Sequence, residues 1–354
     1  MSIRIPLLLC IAILFTAASP QRIVIKRAVG PGIMYPADPV ELRTKIESLI
    51  EDADIPELPG PVNVCIMPTG SFDVSGAVAA HAVKALDPEA FDRVIMIAPP
   101  TFANFQGCSI PAVHYYRTPL GDVALDGPSV RNLTVTTLIQ RHAVVYNERP
   151  YSNPQVNRQM FHEREYAIEI PLTFLQVHLG TFKLIPLVVG DLRNKGKSIE
   201  GNVQSVMRTL RSVMDDRTLL VVCADFTKYG SIHDYTPFAN NIVSNISKLD
   251  LEAFRKIQAR DVASFRSYVK DTKNLKRAAT SLELAMRLAP RNARGLMLDY
   301  VVSGADQIAP AASVSYASLV FFDPSRPEAA AVSAPAEAES ALVVDAEAVS
   351  TDAP

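Results

Sequence analysis

The sequence lacks any surplus of basic charge. Its 35 lysines and arginines stand against 37 aspartates and glutamates, for a net charge of −2. Nucleic-acid binding rewards a concentrated basic surface, so that class of partner is disfavoured. The N-terminal apolar run, Ile5 to Ala18, falls short of the ~20 residues that a spanning helix needs. Cysteine is scarce: Cys10 lies in that N-terminal run, and Cys65, Cys108 and Cys223 remain. Three is an odd number and no spacing makes a metal knuckle, which argues against both a disulfide framework and a cysteine-rich metal site. Gly70 and Gly76 form no dinucleotide fingerprint, there is no phosphate-loop sequence, and no Gly-x-Ser-x-Gly turn presents a nucleophilic serine.

What is present divides into three parts. Arg4, the short apolar run and the small residues Thr16-Ala17-Ala18-Ser19 read as a secretory signal over residues 1–20, which places the protein in an exported compartment, periplasmic or extracellular. The alternative is an uncleaved N-terminal membrane anchor, since Pro20 complicates the cleavage site. Residues 22–323 carry a body with 48% hydrophobic residues over the whole chain, enough to bury a core. Pro324 to Pro354 is rich in Ala, Glu, Ser and Pro, has no aromatic residue and carries excess acid, so disorder is expected there.

Within the body, Val62–Met67, Arg93–Ala98, Phe182–Gly190 and Thr218–Cys223 are short, β-branched, almost unbroken apolar runs, as suits strands covered on both faces. Helix-like segments lie between them: Gly76–Leu86, Glu163–Leu179 and Gly196–Met214. That alternation predicts βαβ units, an α/β fold and a mostly parallel or mixed sheet flanked by helices. Asp250–Leu288 reads as almost continuous amphipathic helix, and Gly295–Val302 and Ser313–Phe322 read as closing strands. Cys65 and Cys223 fall in strand-like runs and are expected to be buried, whereas Cys108, in a loop-like stretch, is the expected reactive thiol.

Three loops follow strand-like runs, where a parallel α/β fold builds its sites. They are Met67-Pro68-Thr69-Gly70-Ser71-Phe72, Ala98-Pro99-Pro100-Thr101-Phe102 and Ala224-Asp225-Phe226-Thr227-Lys228-Tyr229-Gly230. These resemble the signature of the Memo family, including bacterial relatives called AmmeMemoRadiSam system protein B, in which they read roughly Pro-His-Ala-Gly-Tyr, Gly-Pro-Ser-His-His and Ser-Asp-Phe-Cys-His-Trp-Gly. Tyr116-Arg117-Thr118-Pro119-Leu120-Gly121-Asp122, Glu165-Tyr166-Ala167-Ile168-Glu169 and Ser313-Val314-Ser315-Tyr316 extend the resemblance, in order, over most of the body. It implies a fold similar to the class III extradiol dioxygenases, with a metal held at strand ends by two histidines and a cysteine.

Here the scaffold residues stand without the ligands. Thr69 occupies the first histidine position, Thr101 and Phe102 the histidine pair, and Arg277 the position that best aligns with the cysteine. Tyr166 and Lys228 replace two neighbouring histidines, while the acids Glu169 and Asp225 are kept. Threonine hydroxyls are weak ligands, phenylalanine offers none, and arginine cannot be deprotonated to become one. The expectation is a degenerate cleft without metal or other cofactor. One reading joins Glu169, Asp225, Lys228 and Arg277 in an ion-pair cluster that stands in for the lost cation; the other has the cations facing solvent and the acids bound to backbone amides.

Three functions compete on these residues. The first is a non-catalytic binding or scaffold protein, its cleft taking a peptide or a small anion between Lys228 and Arg277. The second is an iron- or copper-dependent oxidoreductase or dioxygenase-like enzyme with His162 or His233 as replacement ligands and Glu169 and Asp225 as ligands or bases. The third is a structural envelope protein whose acidic tail contacts a partner. His81, His114, His142 and His178 have no ligand-like company and read as structural.

Overall fold

The computed structural model describes residues 23–101, 105–142, 161–192, 199–304 and 312–326. The expected export signal and almost all of the acidic tail lie outside these, as does Phe102. In chain order the elements are β1 (Ile25–Lys26), α1 (Pro39–Asp52), β2 (Val62–Met67), α2 (Phe72–Lys84), β3 (Arg93–Ala98), β4 (Cys108–Pro111), β5 (Tyr115–Thr118) and β6 (Gly121–Ala124). There follow α3 (Gly127–Leu133), β7 (Ile139–His142), α4 (Phe161–Arg164), α5 (Glu169–His178), β8 (Lys183–Val189), α6 (Ile199–Arg211), β9 (Thr218–Cys223) and β10 (Lys228–Gly230). The last are α7 (Ile242–Gln258), α8 (Val262–Thr272), α9 (Ala279–Leu288), β11 (Arg294–Val302) and β12 (Ala312–Phe322).

The apolar runs β2, β9, β3 and β8 lie side by side and parallel, forming the centre of a mixed sheet. Antiparallel β12 flanks β2 and carries β10 and β11, and at the other end β4 pairs antiparallel with β8 and parallel with β7. Both faces are covered. Val64, Ile66, Ile95, Ile97 and Ile185 pack against residues of α6 to α9, while Cys65, Met67, Val94, Met96 and Leu184 pack against α1, α2 and α5. The period-two alternation along each strand thus feeds two cores at once, which explains why these runs have no polar face. A second, three-stranded sheet, β1-β5-β6, packs Tyr116 and Val123 onto the α1–α2–α5 side.

Three expectations are corrected. Cys108 begins a strand and is only 2% exposed, and burial pushes its thiol up to about 12, so it is not a ready nucleophile. The Glu163–Leu179 helix is interrupted at residues 165–168, where the Glu165 carboxylate bonds the Ala167 amide. The Asp250–Leu288 helix is three helices. Arg260 breaks the first junction in a left-handed conformation (φ 56°) and turns its guanidinium onto the carbonyls of Met286, Ala289 and Pro290 at the end of α9. Lys273 and Leu275 are left-handed at the second junction.

Candidate functional site

The C-terminal ends of the parallel strands β2, β3 and β9 open into Pro68-Thr69, Pro99-Pro100-Thr101 and Ala224-Asp225. These ends converge on one cavity of about 590 Å³. Its wall includes Thr69, Thr101, Tyr166, Asp225, Lys228 and Arg277, six of the eight positions singled out from sequence. Phe102 lies outside the described residues, and Glu169 is elsewhere.

Thr69 and Thr101 each grip a carboxylate with two donors. Thr69 gives its amide to Asp225 Oδ1 (2.7 Å) and its hydroxyl to Oδ2 (2.9 Å). Thr101 gives its amide to Glu165 Oε2 (2.7 Å) and its hydroxyl to Oε1 (2.6 Å). The loops are therefore held by charge-assisted hydrogen bonds in which the carboxylates accept. Asp225 also pairs with Lys228 Nζ at 2.9 Å. Asp225 in turn raises the Lys228 pKa against the opposing effect of burial, so the amine stays charged. The loop itself is docked on β12: the Phe226 amide bonds Ser315 O, the Ser315 amide bonds Thr227 O, and the Thr227 amide bonds Ser315 Oγ, all within 2.8–2.9 Å. Gly70 is dictated by the same packing, because a Cβ there would lie 2.5 Å from the Tyr316 ring.

Glu169 does not join an ion-pair cluster. Its buried carboxylate accepts the amides of Val29 (2.8 Å) and Gly30 (2.7 Å) and the hydroxyl of Tyr35. A side chain at Gly30 would run into the Tyr35 ring at 2.7 Å. Arg277 is exposed and donates from Nη1 to Thr101 O at 2.9 Å, linking the 273–278 loop to the loop after β3. Of the four-member cluster, then, only the Asp225–Lys228 pair is formed.

Sequence reasoning overlooked two residues. Glu165, 4% exposed, anchors the Thr101 loop; the resemblance draws attention to its neighbour Tyr166, where a histidine is missing, and away from the acid. Lys26, 1% exposed, donates to Arg27 O at 2.7 Å, and burial lowers its pKa against the fields of Glu169, Glu165 and Glu163. The visible signal is a lysine closing the run Ile23-Val24-Ile25.

The two proposed replacement histidines separate. His162 is fully buried, bonded through Nε2 to Ser109 Oγ at 2.7 Å, and does not line the cavity. His233 does line it; burial and the charges of Lys228 and Arg277 lower its pKa, favouring the neutral ring at neutral pH. Tyr166 keeps its proton, since burial raises its pKa. One imidazole, a phenol, two threonine hydroxyls that donate to acids and a carboxylate already holding three partners do not form the donor set of a transition metal. Among the described residues no three His, Cys, Asp or Glu side chains are grouped to hold an ion. The residues do not fit the family's metal.

The remaining character of the cavity is cationic. Lys273, Lys276 and Arg277, all exposed, share its wall with Lys228, against Asp225 and Asp234. Apolar surface comes from Pro99, Phe226, Ile232 and Leu275.

Comparison with known proteins is consistent along the whole body. A family profile described as Memo-like protein matches residues 26–320. The chain is 25% identical over 310 residues to the protein memo-1 homolog of Caenorhabditis elegans, covering 84% of this chain and 82% of that protein. It is 26% identical over 261 residues to protein MEMO1 of Danio rerio and 25% identical over the same length to MEMO1 of Homo sapiens, covering 72% of this chain and 80% of each.

Proposed function

The chain belongs to the Memo-like protein family, and from that premise we propose that it is a non-catalytic member, a binding or scaffold protein whose cleft takes a small anionic group such as a carboxylate or a phosphate, free or carried on a peptide. One observation carries the reading: Asp225 is already paired with Lys228 and bonded by Thr69, while Lys273, Lys276 and Arg277 line the same cavity against one further acid, Asp234. Arg277 has one described hydrogen bond, to a carbonyl, and a guanidinium offers five donors. A planar or tetrahedral oxyanion meets that fork well.

The N-terminal segment supports an exported location, periplasmic or extracellular, and no described helix is long and apolar enough to cross a membrane. A second reading, an iron- or copper-dependent oxidoreductase, draws support from His233, the single imidazole among the described residues of the cavity wall. Calorimetric titration with inorganic phosphate and with succinate tests the first reading. Saturable binding of either, weakened at least tenfold by Arg277→Ala, is expected. No heat from either ligand, or equal affinity in the variant, would refute it.

A further inference from the structure

Behind the cavity lies a buried polar network that the two walls share. Asp250, on α7, is 0% exposed. Its Oδ1 accepts from Thr227 Oγ1 at 2.6 Å and its Oδ2 from the Tyr300 hydroxyl at 2.8 Å. Thr227 sits between Asp225 and Lys228 on one wall. Asn274, at the start of the Arg277 loop on the other wall, donates from Nδ2 to the same Thr227 oxygen at 2.6 Å and to the Tyr268 hydroxyl at 3.0 Å. Its Oδ1 accepts the Leu275 amide at 2.9 Å.

The polarity of this chain is determined. A threonine hydroxyl has one proton and two lone pairs. The Leu275 amide can only donate, so it fixes Asn274 Oδ1 as the acceptor and Nδ2 as the donor to Thr227 Oγ1, which leaves the Thr227 proton for Asp250. Asn274 is flanked by Lys273 (φ 61°) and Leu275 (φ 56°), both left-handed without being glycine, a conformation that persists only where the surroundings hold it. Lys273 caps α8 through its amide on Val269 O (3.1 Å), and Asn274 Oδ1 holds the Leu275 amide.

We propose that Thr227 is a positioning residue for the cleft: its hydroxyl, set between Asp250 and Asn274, locks the Lys228 loop to the Arg277 loop, so that both cations face one ligand. The ligand part of this rests on the anion-binding reading above; the coupling of the two loops does not.

Hydrogen exchange on the unliganded chain and phosphate titration test it together. Thr227→Val removes the shared hydroxyl at similar volume. It should raise exchange in residues 225–230 and 273–278 together and weaken phosphate at least tenfold, while Thr227→Ser restores both to within twofold of wild type. Ser109→Ala, toward the other end of the sheet, serves as a stability control and should leave phosphate affinity within twofold whatever it does to the melting temperature. A Thr227→Val chain that binds phosphate like wild type, or that loosens only residues 225–230, overturns the proposal. If wild type binds no phosphate, the anion reading fails, and the exchange pattern still decides whether the walls are coupled.

Discussion

Removing the Glu169 carboxylate should damage this protein far more than removing Arg277, although the sequence singles out both as cleft residues. In Glu169→Ala the amide of Gly30 and the hydroxyl of Tyr35 lose an acceptor inside the core, and the amide of Val29 loses it at the core's edge. Leaving a buried donor unmet costs roughly 1–3 kcal/mol, so three donors with partial relaxation come to about 3–6 kcal/mol. Lys26, buried beside them, loses an acid whose field favours its charged form, which acts in the same direction. At about 2 °C per kcal/mol for a domain of this size, the melting temperature should fall by roughly 6–12 °C. Arg277 is exposed with one hydrogen bond to a backbone carbonyl, and Arg277→Ala should change stability by ~1 kcal/mol or less. Circular-dichroism melts and urea titrations of the two variants beside wild type measure this. Equal losses, or a larger loss in Arg277→Ala, would mean that Arg277 carries the buried charge balance and that the placement of Glu169 is wrong.

Other consequences can be measured with the same material. His162 has a pKa well below its ordinary 6.5, from burial first and then from His142 and Lys26; unfolding lets it take up a proton, so its contribution to stability is complete above pH ~6.5 and falls as pH drops below that. The urea midpoint of wild type relative to His162→Gln should therefore decline from pH 7.5 to pH 5.5; a constant difference would contradict the buried neutral imidazole. Cys65, Cys108 and Cys223 are all buried, with burial pushing the first two to about 12, so a thiol reagent at pH 8 should modify none of them in the native chain and all three after denaturation. Rapid native labelling of Cys108 would restore the loop reading of that segment. Thr101→Val leaves Glu165 Oε1 without its 2.6 Å hydroxyl donor and should cost about 1–3 kcal/mol, read by the same melts; an unchanged midpoint would count against the threonine–carboxylate grip.

The sheet's centre was legible because its strands are buried on both faces. Val62–Met67, Arg93–Ala98 and Thr218–Cys223 have the bounds that their apolar runs imply, and no tertiary contact had to override them. The three loops were legible for a related reason, since each follows such a run and so falls at the same sheet end. What escaped was set by contacts distant in sequence. The break at Arg260 depends on carbonyls more than twenty residues later, at Met286 and Ala289. Glu169 took its role from Val29 and Gly30, some 140 positions earlier, and residue type alone gave no means of choosing between an ion pair and an amide-bound acid. Helix α1 is a different omission: Asp38-Pro39 is an open N-cap and first-turn signal, and the Asp38 carboxylate does bond the amides of Val40 and Glu41. Cys108 was misread because a four-residue strand beside β8 carries too short a pattern to separate from a loop.

The central claim is that the cleft has exchanged a metal centre for a cationic binding site, and metal analysis of the purified mature domain tests it most directly. The protein would be assayed as isolated, and again after anaerobic loading with Fe(II), Cu(I) and Zn(II) and desalting. The account predicts well under one equivalent of every metal in both states. One tightly retained metal per chain would contradict it, and loss of that metal in His233→Ala would identify the cleft as its site.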